Sequence, residues 1–353
     1  YPLLRVTFQR QGEWRIGAIK PIAINKLDAL SRSFFVKAFE DYRKKQWRTP
    51  KGKTSARYDI AILHDPSDPQ PPSNIKALNQ FIKAGKTLGV EVDLIEKKDY
   101  GRLAEYDALF IRDTTRIDHY TYRFAKKAES EGMVVIDDPM SILLCTNKVY
   151  LAELLRAKKV PTPKTVIVGR KDLKAAENIL GFPMVLKVPD GSFSQGVFKA
   201  ENDEQMREIT NRLFQKSELI LAQEFLYTQF DWRIGILNKK PLYASQYFMS
   251  KEHWQIVQYD SKGGFEEGGF RTMAIEEVPK KVIDIALKAA NLIGDGLYGV
   301  DIKQNEKEVY VIEINDNPNI DAGVEDLDLK DNLYRIIMED FVRRLDKQMS
   351  KTK

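Results

Sequence analysis

The chain has 353 residues, of which 43% are hydrophobic and 30% are charged, with a net charge of +5 and one cysteine. This length and apolar content suffice for two or three domains with sizeable cores. A single cysteine, Cys145, excludes an intrachain disulfide and favours a cytoplasmic protein, and no apolar run approaches the ~20 residues that span a bilayer.

The first 57 residues are predicted to form a partial N-terminal module and a basic linker. Residues 1–41 have the pattern of a strand pair followed by an amphipathic helix. We expect the module to be partial because the chain starts at Tyr1, already within a strand pattern. Residues 42–58 carry much of the positive charge, and such a run is more typical of a solvated linker than of nucleic-acid contact, since no recognised nucleic-acid-binding motif accompanies it.

Residues 58–140 are predicted to form an open α/β domain, because strand patterns alternate with helix patterns in the manner of parallel βαβ units. The strand patterns lie at 58–63, 90–96, 106–113 and 133–138, and the helix patterns at 74–89 and 120–132. Ligands bind beyond the carboxyl ends of such strands. Arg112 lies at one of these ends, where it could hold a substrate carboxylate or form an ordinary loop ion pair.

From Thr146 the pattern changes to helices mixed with antiparallel strand pairs. A helix is predicted over 146–159, a hairpin over 231–249, a long polar segment over 261–272 and a final hairpin over 298–315. The final hairpin ends in "VYVIEINDNPNI", an apolar strand that is interrupted by Glu313 and Asn315. Side chains two apart on a strand share one face, so these two oxygen-bearing groups lie side by side.

The final hairpin is a candidate magnesium site. Asp301 precedes Glu313 by twelve residues (313 − 301 = 12), so a turn near 305–308 sets the two carboxylates roughly opposite each other. With Asn315 they form an all-oxygen set, which suits Mg²⁺ completed by water and phosphate oxygens. The alternative is a hairpin with solvent-exposed acids.

A loop rich in Gly and Ser, within "VLKVPDGSFSQGVF" (185–198), is a candidate phosphate-binding element. Gly191 and Gly196 would let the backbone approach a ligand, and Ser192, Ser194 and backbone N–H groups could face phosphate oxygens. Lys187 lies in an apolar strand before the loop and needs an anionic partner or a route to water. The loop does not match a P-loop, and a simple hairpin turn is the alternative.

Two further strand segments carry candidate ligand contacts. "ILAQEFL" ends with Gln223, Glu224, Phe225 and Leu226, where exposed backbone beside apolar side chains could hold an adenine; a strand that ends at the surface is the alternative. "DWR" sets Asp231 and Arg233 on one strand face, as a structural ion pair or as a ligand clamp.

Taken together, the order of these elements resembles the ATP-grasp superfamily, and most closely the branch of glutathione synthetase and the RimK-like glutamate ligases. The resemblance covers residues 58–345. It rests on "TNKVYLAELL", "VPTPKT", "FPMVLKVPDGSFSQGV", "LAQEFL", "DWR", "GGFRT", "YGVDI" and "VIEINDNPN". It implies an ATP-grasp fold, with two α+β subdomains clasping ATP, over 141–345. The lid would span about 165–226, a pre-ATP-grasp α/β domain would precede this fold, and a tail would follow over 346–353.

The resemblance also implies a role for each matching residue. Lys148 and Lys187 would contact the ATP phosphates beneath the loop at 191–196, and Gln223 to Leu226 would line the adenine pocket. Asp301, Glu313 and Asn315 would hold two Mg²⁺ ions, for which Mn²⁺ could substitute. Arg233 and Arg271 resemble the arginines that face the γ-phosphate and the substrate carboxylate.

The implied activity is that of an ADP-forming carboxylate–amine ligase, which makes an amide bond through an acyl phosphate. It would join an amino acid, glutamate or a similar one, to a peptide, protein or small-molecule carboxylate. A small-molecule kinase and a non-catalytic nucleotide-binding protein are the alternatives. The chain departs from the family over 259–270, and the usual Asn-Pro-Gly is here Asn317-Pro318-Asn319. Both places lie on the substrate side, where Asn317 and Asn319 would contact substrate. The resemblance further implies a homo-oligomer.

Overall fold

The computed structural model describes residues 3–11, 13–44, 56–189, 196–250, 254–259, 265–306 and 308–351. The chain divides into two compact units, Tyr1–Ser55 and Ala56–Lys353. Among the described residues, no helix is both long enough and apolar enough to cross a membrane.

The first unit contains the predicted strand pair and helix. Strands β1 (Leu4–Gln11) and β2 (Glu13–Pro21) pair in antiparallel fashion, and helix α1 (Ala29–Lys44) follows a short 3₁₀ turn. Most of the predicted basic linker, residues 45–55, lies outside the described residues.

The second unit begins with the predicted parallel sheet, which is confirmed. Its elements are β3 (Tyr58–Leu63), α2 (Ile75–Thr87), β4 (Val90–Ile95), β5 (Ala108–Ile111), α3 (Tyr120–Ser130) and β6 (Val134–Ile136). The strand order is β4-β3-β5-β6, with every pair parallel. All four strands therefore end at the same edge, where the loops after β3 and β5 meet.

A second, antiparallel sheet follows two short helices. Its strand order is β7-β10-β8-β9. The elements are α4 (Pro139–Thr146), α5 (Lys148–Ala157), β7 (Thr165–Val168), α6 (Leu173–Leu180), β8 (Met184–Lys187), β9 (Val197–Ala200), α7 (Asp203–Leu213) and β10 (Ile220–Glu224). The helix predicted from Thr146 starts at Lys148 instead, because Asn147 ends α4 and its side chain caps α5 by accepting from the N–H of Tyr150 at 3.0 Å.

The third sheet has five antiparallel strands in the order β15-β12-β11-β16-β17. The elements from this sheet onward along the chain are β11 (Phe230–Leu237), β12 (Lys240–Phe248), β13 (Val257–Tyr259), β14 (Phe265–Glu267), β15 (Phe270–Met273), α8 (Lys280–Ala290), β16 (Leu297–Gln304) and β17 (Val309–Asp316). Strands β13 and β14 pair with each other in a separate two-stranded sheet. Both predicted hairpins, β11–β12 and β16–β17, are confirmed. The polar segment at 261–272 carries β14 and most of β15, which its composition did not indicate.

The last helix, α9 (Asp331–Lys351), packs on the parallel sheet. The ring of Phe81 lies edge-on to those of Phe110 and Tyr334, with centroids 5.1 and 4.9 Å apart. Since α9 ends at Lys351, helical structure continues into the predicted tail at 346–353. Within this part of the helix, Asp346 accepts hydrogen bonds from Arg57 at 2.6 Å and Tyr58 at 2.5 Å. The division of the second unit into 58–140 and 141–345 stays a prediction.

Candidate active site

A cavity of about 1490 Å³ in the second unit collects most of the predicted site residues. Its walls come from the loops after β3 and β5, the start of α5, the sheet that contains β8 and β10, and the final hairpin. The predicted residues that line it are Lys148, Lys187, Gly196, Gln223, Glu224, Phe225, Leu226, Asp231, Arg233, Asp301, Glu313, Asn315, Asn317 and Asn319. Gly191, Ser192 and Ser194 lie outside the described residues.

The final hairpin has one core face and one cavity face. Val300, Ile302 and Ile314 are completely buried in a hydrophobic cluster, whereas Asp301 and Glu313 line the cavity. This alternation is the period of two that a strand imposes. It explains why an apolar strand carries oxygen-bearing groups at every second position.

A β-bulge sets the register that brings the two carboxylates together. Asp301 pairs with Glu313, whereas the next residue, Ile302, pairs with Val311. The extra residue on β17 is Ile312. If the register of Ile302 and Val311 continued without the bulge, Asp301 would lie opposite Ile312 instead of Glu313. The predicted juxtaposition of Asp301 and Glu313 is therefore confirmed, and the bulge is its structural cause.

Each carboxylate is paired with a cationic side chain. Arg233 holds Asp301 through two hydrogen bonds, Nε–Oδ1 at 2.6 Å and Nη2–Oδ2 at 2.8 Å. The ammonium of Lys148 contacts Oε1 of Glu313. Burial alone would raise the pKa of Glu313, but Lys148 and Lys187 outweigh it, so that pKa lies below its usual range. Glu313 is therefore ionised at neutral pH.

The donor set fits a hard divalent cation that takes its remaining ligands from elsewhere. Asn315 donates from its side-chain amide to Asp301 at 3.0 Å, which leaves its carbonyl oxygen as the atom that a cation could use. Over the described part of the chain, no three His, Cys, Asp or Glu side chains could hold a metal together. Two carboxylates and one amide suit Mg²⁺, which keeps waters and takes phosphate oxygens rather than needing an all-protein cage.

Lys187 is buried in the cavity wall, with its ammonium 3.2 Å from Oε1 of Gln223. The amide of Gln223 in turn donates to the hydroxyl of Thr165 at 2.8 Å, so the acceptor atom is fixed in place. Burial lowers the pKa of Lys187 to about 8. Among the described residues, no carboxylate lies in hydrogen-bonding contact with this lysine, and an anionic ligand would supply the partner that its charge requires.

The start of α5 and the end of β8 meet where the undescribed residues 190–195 begin. The backbone N–H of Lys148 donates to the carbonyl of Pro189 at 3.2 Å. On the far side, Gly196 has φ of +78°, and a Cβ there would lie 2.9 Å from Val188. Both constraints favour glycine at this position.

The strand end predicted to hold an adenine combines apolar side chains with a fixed backbone. Phe225 lies edge-on to Trp254, with centroids 5.8 Å apart, and the Lys199 ammonium lies 4.5 Å from its ring centroid. The carboxylate of Glu224 accepts from the N–H of Lys164 at 2.8 Å, so this side chain ties the strand end to the segment before β7. The adenine contact at this strand end stays a prediction.

The motif "DWR" forms two ion pairs rather than one. Asp231 and Arg233 share a face, but each pairs across the sheet: Arg233 with Asp301, and Asp231 with the ammonium of Lys303 at 2.6 Å. Lys303 also donates to Thr228 at 2.9 Å and lines the cavity. Sequence reasoning missed Lys303, although its position two residues after Asp301 on one strand is a usable signal.

Arg112 does not line the cavity, so its described conformation does not support the substrate carboxylate contact, which stays a prediction. Its side chain is completely buried. The guanidinium donates to Oδ1 of Asn317 at 2.6 Å, to the carbonyl of Pro318 at 2.7 Å, to Ser73 at 3.0 Å and to the carbonyl of Pro72. Arg112 is therefore a structural link between the loop after β3 and the segment after β17.

Arg271 is also placed away from the cavity. It lies on the edge strand β15, its side chain is 64% exposed, and it forms a loose ion pair with Glu277 at 3.8 Å. It does not line the cavity, so the described structure gives it no contact with the other site residues.

Asp137 fixes both ends of the final hairpin, a role that sequence reasoning missed. Its carboxylate accepts from the backbone N–H of Leu297 at 2.7 Å and from that of Asn317 at 2.9 Å. Asn317 is held with φ of +48°. One buried side chain thus joins the start of β16 to the residue after β17.

Comparison with known proteins agrees with this geometry. The model of the RimK-like ATP-grasp domain matches residues 145–337. A probable alpha-L-glutamate ligase of Vibrio atlanticus is 26% identical, over 71% of this chain and 87% of the relative. The alpha-aminoadipate–LysW ligase LysX of Saccharolobus solfataricus is 27% identical, over 67% and 87%. The D-alanine–D-alanine ligase of Bacillus anthracis in complex with ATP superposes with a TM-score of 0.64 at 17% identity, covering 82% of this chain and 99% of the ligase.

Proposed function

The chain belongs to the RimK-like ATP-grasp domain family, and from this premise we propose that it is an ATP-dependent, ADP-forming carboxylate–amine ligase. One observation carries the proposal: a single cavity is lined by charged side chains and by the apolar strand end at Phe225 and Leu226. The charged groups that matter here are the carboxylates of Asp301 and Glu313, the ammonium groups of Lys148 and Lys187, and the guanidinium of Arg233. These are the groups that an ATP-grasp ligase needs to hold a nucleotide next to a carboxylate substrate.

The reaction explains why catalysis needs mainly cationic groups that hold the negatively charged reactants in position. A carboxylate is a poor electrophile, because its negative charge repels nucleophiles and its oxygens leave badly. Phosphorylation gives an acyl phosphate, which an amine attacks to form the amide and release phosphate. Both steps gather negative charge in one place, so positioned cations supply most of the catalysis. In this cavity Lys148, Lys187 and Arg233 supply that charge.

A bound divalent cation would be held by Asp301, Glu313 and the amide oxygen of Asn315. Bound there, Mg²⁺ would neutralise phosphate oxygens and orient the transferred group. The chain's own part is to fix the ligand positions, and Arg233 does so for Asp301 with two hydrogen bonds. We propose two such ions from the family resemblance, with Mn²⁺ as an alternative.

The substrates are proposed from the relatives. The relatives are named as ligases of glutamate and of alpha-aminoadipate, which supports an amino acid, glutamate or a similar one, as one substrate. From the family resemblance we propose that its amine is joined to the carboxylate of a peptide, protein or small molecule. Asn317 and Asn319 line the cavity next to the predicted metal ligands and are proposed to contact these substrates. A cytoplasmic location and a homo-oligomer stay predictions.

The test is ATP turnover with substrate panels. A ligase should release ADP and phosphate only when both a carboxylate and an amine are supplied, and the amide product should appear by mass spectrometry in equal amount. Release that depends on one substrate alone, with a phosphorylated product, would indicate a kinase instead. If no pair of substrates drives turnover but nucleotide binds, a non-catalytic binding protein is supported.

Lys187→Ala is expected to weaken nucleotide binding by about 10- to 100-fold, since a charged hydrogen bond contributes about 1.5–3 kcal/mol. The pKa of Lys187 near 8 adds a pH signature. Phosphate binds the protonated lysine, so wild-type affinity should fall as the pH rises through about 8, and the variant should lose that dependence. Calorimetric titration with ADP measures both effects, and unchanged affinity in the variant would remove Lys187 from the phosphate site.

A further inference from the structure

The two predicted metal carboxylates are already neutralised by side chains of the same chain. Lys148 contacts Oε1 of Glu313, and Arg233 binds both oxygens of Asp301. The two cationic side chains are 9% and 20% exposed, so water screens these pairs much less than it screens surface pairs. A divalent cation approaching Glu313 therefore meets a positive charge where it would have to bind.

Lys148 carries a single positive charge, so it cannot fully neutralise both Glu313 and a bound phosphate. Its ammonium is a compact charge at the end of a flexible stem, so it can move between nearby anions. In the proposed function the same lysine contacts the ATP phosphates. A nucleotide that draws Lys148 towards its phosphates lowers the positive charge at Glu313 and adds oxygen ligands beside it.

We propose that Lys148 is an internal counterion that occupies the position of the metal at Glu313 until a nucleotide draws it away, so that free divalent ions bind weakly and bind tightly only with nucleotide. This inference rests on the proposed function. Arg233 likewise neutralises Asp301, but its two-bond contact makes it the more firmly held partner. Lys148 is the part of the site that moves.

The proposal gives Lys148 effects of opposite sign on two ligands. Removing its charge should weaken nucleotide binding, because a phosphate contact is lost. The same change should strengthen binding of free metal, because Glu313 is no longer neutralised. A lysine that only contacts phosphate, or one that only supports the fold, would not produce this pair of opposite effects. Because binding couplings are reciprocal, the metal should also enhance nucleotide affinity less in the variant than in wild type.

The experiment is titration of the full chain with Mn²⁺ in the absence of nucleotide, in which the electron paramagnetic resonance signal of the free ion disappears on binding. Lys148→Met is expected to bind Mn²⁺ about tenfold more tightly than wild type, a typical size for a coupling between sites. Lys158→Met is the matched control, since Lys158 is an exposed residue beyond the other end of the same helix and should behave as wild type. Calorimetry with ADP, with and without Mn²⁺, measures the nucleotide side.

Two outcomes would overturn the inference: free Mn²⁺ bound no more tightly by Lys148→Met than by wild type, or a wild-type affinity for ADP that Mn²⁺ does not raise. Should Lys148→Met fail to fold, Arg233→Met provides the second variant and should also bind free Mn²⁺ more tightly. Failure of the proposed function has a different signature. It would appear in the substrate assay, as ADP release that does not require both a carboxylate and an amine, and it would leave the Mn²⁺ and ADP titrations of wild type and variants unchanged.

Discussion

Glu313→Ala is expected to lower turnover by about 10²–10³-fold or more, the range seen when one preorganised electrostatic contact is removed from an active site. Glu313 is in direct contact with Lys148, it influences Lys187, and it lies opposite Asp301 in the hairpin. Its loss removes a proposed metal ligand and the carboxylate that Lys148 contacts. ADP release, measured with the substrate pair that supports wild-type turnover, is the readout.

Two further variants separate chemistry from folding in that measurement. Glu313→Gln keeps the volume of the side chain and one oxygen, and it should lose most of the activity while unfolding close to the wild-type temperature. Glu308→Ala removes an exposed carboxylate from the same hairpin, where it pairs with Lys281 at 3.1 Å, and it should remain active. Activity of Glu313→Ala within about tenfold of wild type would contradict the metal assignment.

The final hairpin illustrates how far sequence can predict this site. The period of two assigned Glu313 and Asn315 to one face, and the twelve-residue separation placed Asp301 opposite Glu313, as the register confirms. Both arguments use only local geometry. The bulge that perfects the alignment was not predictable, because Ile312 is an ordinary apolar strand residue whose extra position depends on the neighbouring strand.

The parallel sheet was predictable for a similar reason. Strand β5 is a continuous apolar run and β3 is interrupted only by Asp59, and helices alternate with such strands along the chain. The edge strand β15 was not predictable from the sequence, because Phe270 and Arg271 within it are exposed and give no pattern of burial. Its strand structure depends on pairing with β12. Arg271 was assigned to the site from family resemblance, and pairing at the edge of the sheet directs it elsewhere.

Arg112 shows what the sequence cannot predict about this region. Its position at the carboxyl end of a parallel strand is a reasonable signal for ligand binding. Its actual partners, Asn317 and Pro318, lie more than 200 residues further along the chain. No local sequence pattern predicts such long-range contacts. Until the fold is known, a buried arginine whose hydrogen bonds are satisfied cannot be distinguished from an arginine that binds a ligand.

Arg112→Met is accordingly expected to lower the free energy of unfolding by about 3 kcal/mol or more, because each buried acceptor left unpaired costs about 1–3 kcal/mol. Burial lowers the pKa of Arg112 to about 10, so the guanidinium is charged at neutral pH and donates to four groups. Methionine has a similar length but no donor. Urea unfolding followed by circular dichroism measures the loss.

The same substitution should also reduce activity, because Arg112 holds the amide oxygen of Asn317 next to the cavity. Arg123→Met is the matched control: it removes an exposed arginine from α3 and should change stability by at most about 0.5 kcal/mol. If Arg112→Met unfolds like wild type and instead raises the KM for a carboxylate substrate alone, then Arg112 reaches the ligand after all. In that event the buried conformation would have to open during turnover, and the structural role assigned to this arginine would be the weaker of the two.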